Sequence, residues 1–111
     1  MVSEDTLLML LDALKVRLDI TWSDEATDSK IKQLLSDSIA WLVQSTGYRD
    51  LDYSQNTIER ELMFTRVQYA MENMLDDFSK NYKSEIVAMI NRAKVRKYNA
   101  STQNADTNTS I

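Results

Sequence analysis

Arg92, Lys94, Arg96 and Lys97 crowd four cations into six residues near the end of the chain. Residues 80 to 98 carry 6 basic and 1 acidic side chain, a balance of +5; residues 1 to 79 carry 7 basic and 15 acidic, a balance of −8. Ammonium and guanidinium groups pair with carboxylates and phosphates. A basic arm on an acidic body therefore points to an acidic partner, or to an acidic part of a second copy. The same cations would also suit the dipole at a solvated helix end, which needs no partner. Both readings stand at this level.

Groups that transfer protons or electrons are scarce. There is no His and no Cys. That removes the usual general base at neutral pH, the commonest transition-metal ligand and any thiolate site. Asp76 and Asp77 are adjacent, so on a helix they diverge by about 100°. Glu59 and Glu61, two apart, point to nearly opposite sides. Asp50-Leu51-Asp52 lacks the remaining ligands and the central Gly of a calcium loop. With one Gly in the chain, Gly47, a glycine-rich phosphate loop is excluded. We expect no enzyme, no metal and no cofactor. Binding by charge and packing is the chemistry left.

Helices must position the basic cluster. The stretch from Thr57 to Tyr98 runs without Gly or Pro. Phe64, Val67, Met71, Met74, Leu75 and Phe78 recur there at spacings of three and four, marking one helix face. The pattern resumes at Tyr82, Ile86, Met89, Ile90 and Ala93 after a break expected at Ser79-Lys80-Asn81. Ser84 with Glu85 is the expected cap of this fourth, basic helix. Asn56 with Glu59 fits a loose capping box for the third.

Earlier in the chain, Ser3 can cap a first helix whose stripe is Leu7, Leu11, Leu14 and Leu18. Asp19 to Ser23 interrupt it, with Ser23 the expected cap of a second helix. Ile31, Leu34, Leu35, Ile39, Leu42 and Val43 form that helix's buried side, and Gly47 closes it as a left-handed residue. Trp22 and Trp41 read as packing anchors. After Tyr98 the chain is polar up to Ile111 and cannot bury enough surface to order itself.

The expected fold is all-α: a small bundle of about four helices, the third of them long, with an extended polar C-terminal tail. Residues 1–98 form the domain and 99–111 the tail. At 111 residues and 43% apolar composition the core is marginal. Neighbouring subunits could help to complete it, though they are not required. No apolar run approaches the ~20 residues of a membrane span, and the start lacks a basic leader. We expect a protein made in the cytoplasm, without membrane contact.

Three segments carry a resemblance. The first is Leu14-Lys15-Val16-Arg17-Leu18-Asp19-Ile20 followed by Ser23-Asp24-Glu25. The second is Ile31 to Gly47, with Trp41-Leu42 and Thr46-Gly47. The third runs from Val67-Gln68-Tyr69-Ala70 to Phe78-Ser79-Lys80-Asn81-Tyr82-Lys83-Ser84-Glu85-Ile86. In order and spacing they resemble the head–tail connector (adaptor) proteins of long-tailed double-stranded-DNA bacteriophages. The resemblance covers residues 7 to about 95; it departs from the family in lacking a Gly after the last helix.

The resemblance implies a helical protomer that assembles, commonly as twelve copies, into a ring beneath the portal. Such a ring belongs to the virion at the head–tail interface. It extends the DNA channel and offers a surface to the next connector, stopper or tail protein. The segment that reaches the portal maps onto Arg92 to Ile111, with Arg92, Lys94, Arg96, Lys97, Tyr98 and Ile111 as contact residues. The acids before residue 80 would suit a lumen through which DNA passes without specific binding. Two other readings remain open. One is a small helical nucleic-acid-binding or regulatory protein that lays the basic C-terminal helix along phosphates. The other is a helical adaptor for a different partner.

Overall fold

A computed structural model describes the backbone of residues 3–22, 24–49 and 51–109, and the side chains of these residues up to 99. Among the described residues lie five helices: α1 (Glu4–Arg17), α2 (Glu25–Thr46), α3 (Ile58–Met71), α4 (Leu75–Asn81) and α5 (Lys83–Thr109). No strand occurs among the described residues. The all-α expectation holds. The count of about four helices and the long third helix do not: α3 has 14 residues, whereas α2 has 22 and α5 has 27.

Side-chain oxygens start the first three helices by accepting otherwise unpaired N–H groups. The Ser3 hydroxyl accepts from the Thr6 N–H at 3.2 Å, as expected. The Asp24 carboxylate accepts from the N–H of Thr27 at 3.3 Å and from its hydroxyl at 2.6 Å. Asp24 thus holds the cap position expected of Ser23, which lies outside the described residues. The Thr57 hydroxyl caps α3 through the Arg60 N–H at 3.3 Å. The Asn56–Glu59 capping box does not form, because Asn56 turns left-handed (φ 70°) and Glu59 is buried.

Left-handed residues end those same helices. Asp19 (φ 57°) closes α1, Gly47 (φ 76°) α2 and Asn73 (φ 58°) the region after α3. At the first, Ile20 N–H donates to the Lys15 carbonyl at 2.9 Å and Asp19 N–H to that of Val16 at 3.1 Å. At the third, Met74 N–H donates to Tyr69 at 2.8 Å and Asn73 N–H to Ala70 at 3.0 Å. Both are Schellman ends; Gly47, whose N–H reaches Val43 at 2.8 Å, makes the simpler left-handed cap. The Asn73 end divides the helix expected to run unbroken to Ser79; Asn is among the few residues other than Gly that adopt the left-handed conformation.

The second joint falls at Tyr82, beside the expected break. Ser84 does not cap there, since α5 starts at Lys83 and Ile86 N–H still bonds the Tyr82 carbonyl at 2.9 Å. Residues 99–109, expected as an extended tail, continue α5. No Gly or Pro interrupts them, and adding residues to a formed helix costs far less than nucleating one.

α2 is the hub, packed by α1, α3 and α5, with α4 between α3 and α5. Lys15–Asp28 (2.9 Å) and Glu4–Lys32 pairs set α1 antiparallel along the first half of α2. Arg17–Glu61 (2.7 Å) brings the start of α3 to the end of α1. Leu14, Ile31, Leu35, Leu42, Met63 and Met89 are fully buried. Phe78 of α4 centres an aromatic cluster, 5.6 Å from Trp41, 5.8 Å from Tyr69 and 5.5 Å from Tyr82. Trp41 is therefore an anchor as expected. Trp22 is not, at 56% exposed.

Candidate docking surface on the C-terminal helix

α5 meets the body along one narrow stripe. Met89 and Ala93 are buried, with Ile86 and Ile90 partly so. Arg96 and Lys97 follow Ala93 by three and four residues and so share its side of the helix. They reach Tyr48, just past the end of α2. The Arg96 guanidinium carbon lies 5.6 Å from the ring centroid and the Lys97 ammonium 5.2 Å. Each such contact is worth about 0.5–1 kcal/mol at an exposed site. Lys97 also crowds Gly47 closely enough that a Cβ there would collide with its ammonium. The last turn of α2 has no basic residue of its own. Lys97 brings a cation to the negative end of that helix's dipole.

The loop beneath adds an acid. Asp52 accepts from Ser54 through the hydroxyl at 2.6 Å and the N–H at 2.9 Å. These bonds hold its carboxyl below the usual range, with the Arg96 charge a smaller contribution in the same direction.

The expected contact residues are thus divided. Arg96 and Lys97 clasp the body. Arg92, Lys94 and Tyr98 are exposed, Tyr98 at 71%. Arg92 and Lys94, two residues apart, leave the helix on nearly opposite sides. Ile111 lies outside the described residues.

Sequence reasoning missed Tyr48 as the platform and Val87 and Val95 as exposed apolar residues. The signal was an aromatic residue directly after a left-handed Gly, and valines off the main stripe. It also missed Arg66, which donates to the Ser38 hydroxyl at 3.0 Å and sits 5.4 Å from the Trp41 ring centroid. Burial lowers the Arg66 pKa, with the Asp37 charge opposing.

Elsewhere, a pocket of about 280 Å³ includes Arg17, Arg60 and Phe64 in its lining. Both guanidinium groups lie over the Phe64 ring, at 5.8 and 5.0 Å. Arg17 pairs with Glu61, and Arg60 donates to the Tyr53 carbonyl at 3.1 Å. Each cation is already engaged. Among the described residues no cluster of His, Cys, Asp or Glu could hold a metal, and no helix is long and apolar enough to cross a membrane. No family model, curated protein or solved structure matches the chain.

Proposed function

We propose that the chain is a structural connector that assembles as a ring beneath a phage portal and offers its outer surface to the next component of the tail. The carrying observation is the form of α5. It holds the body through one stripe and two cations, then runs on to Thr109 with every side chain from Lys94 to Asn99 exposed. Such a helix suits an arm that reaches another molecule, at an entropic cost when it is fixed there. Arg92 and the stretch beyond residue 98 are the portal-facing parts, since Arg96 and Lys97 already engage Tyr48. The three sequence segments resembling the connector family support the same reading, and an acidic body suits a channel that DNA slides through.

Truncation after Tyr98 tests it, scored by co-sedimentation with portal-bearing capsids. Loss of binding is expected. Unchanged binding would remove the arm from the portal contact. A nucleic-acid-binding role is second, because the stretch 80–98 is basic. Salt-dependent retention of duplex DNA by the isolated chain would favour it, with affinity falling steeply between low and moderate salt.

A further inference from the structure

α1 and α5 each present a second face that nothing among the described residues covers. On α1, Asp5, Met9, Asp12 and Val16 fall at spacings of four, three and four, and so on one side. Met9 is 69% and Val16 77% exposed. On α5, Lys83, Val87 and Lys94 fall within about 40° of one another around the helix, and Val87 is 46% exposed. Glu85, the one acid of α5 before Asp106, leaves the helix on the side opposite Lys94. One face is therefore acidic around apolar side chains, and the other basic around an apolar side chain. Among the described residues none of Asp5, Asp12, Lys83 and Lys94 belongs to an ion pair.

We infer that these two faces meet between copies: α1 of one chain packs on α5 of the next, Asp5 and Asp12 toward Lys83 and Lys94, with the valines and Met9 between them. Asp5 and Asp12 stand about 10 Å apart along α1 and Lys83 and Lys94 about 16 Å along α5, a difference within the reach of two lysine side chains. The two faces cannot satisfy each other within one chain, since α1 lies on the first half of α2 while α5 reaches its far end at Gly47. Different patches meeting head to tail leave a free face on each added copy, so the contact propagates until a ring closes. This deepens the connector reading and rests on it. Lys94 belongs to this contact, and Arg92 with the chain beyond residue 98 is left for the portal.

The test uses the full chain and two charge-reversed variants, Asp5→Lys with Asp12→Lys, and Lys83→Glu with Lys94→Glu. All four positions are exposed, so folding should survive, which circular dichroism checks. Mass is read by light scattering after gel filtration. The unaltered chain is expected as an oligomer that high salt dissociates, each variant as a monomer of 12.8 kDa. An equimolar mixture of the variants should recover the oligomer, because each supplies the sign the other lost. Variants that assemble as well as the parent would overturn this interface and leave the connector reading standing. A parent monomeric at all concentrations overturns the interface also; portal binding then decides the connector reading separately.

Discussion

The two halves of α2 are covered in different ways. Along the first half, α1 and α3 contribute Leu14, Met63 and Phe64 to a core with Ile31 and Leu35, nearly all of it closed to solvent. At the far end, past the contact of Trp41 with Phe78, α5 buries Met89 and Ala93 and then relies on Arg96 and Lys97 over Tyr48. Apolar burial is worth about 1.5–3 kcal/mol per large side chain, several times an exposed cation–ring contact. The first region holds the fold, and the second holds an arm in place. Local opening should begin at the arm.

Phe78→Ala strikes where these regions join, because Phe78 ties α4 to Trp41 of α2, Tyr69 of α3 and Tyr82 before α5. Urea unfolding should show a loss of about 3–5 kcal/mol, the range for a buried aromatic truncated to Ala. Val95→Ala, on the exposed face of the arm, should stay within about 0.5 kcal/mol of the parent. Similar losses at both sites would erase the distinction between core and arm.

Gly47→Ala sharpens the comparison at the clasp itself. The φ of 76° there is left-handed, and an added Cβ meets the Lys97 ammonium. The backbone penalty of about 1–2 kcal/mol should appear in full. The collision should cost less, since a lysine end can swing aside. In a Lys97→Ala background the backbone penalty persists and the collision vanishes. A substitution as damaging as Phe78→Ala would mean that the clasp is a rigid part of the core.

Local rules explain which parts of this architecture were legible. Ser3 as a cap and Gly47 as a stop are decided by groups within one turn, and both stand where expected. The stripes of α1 and α2 report burial directly. The end at Asn73 was hidden because Asn is equally at home inside a polar helix face, and the choice is made by where Met74 N–H finds its acceptor. The division of the basic cluster was hidden for a longer-range reason. Spacing puts Arg96 and Lys97 on one side of a helix, but only the fold brings Tyr48 beneath them. Charge content therefore suggested a single docking patch, where the structure has a clasp and an outward face.

The smallest expected effect concerns the loop that α3 and α1 share. Tyr53 is 9% exposed, and its hydroxyl has no partner among the described residues. Burial first, and the Glu59 charge second, push its pKa from 10.0 up to about 12. The folded chain then keeps a proton that the unfolded chain gives up. The stabilisation tied to that proton is fully present below pH 10 and is lost as pH rises from 10.0 to about 12. Tyr53→Phe removes both the titration and a buried hydroxyl without a bond. At pH 7 it should be neutral, or gain up to about 1 kcal/mol. Its advantage should then grow with pH above 10, in urea midpoints measured side by side with the parent. Every other side chain is common to both proteins, so the difference isolates Tyr53. Parallel pH curves would refute the raised pKa, and a clear loss at pH 7 would mean that the hydroxyl is bonded in solution.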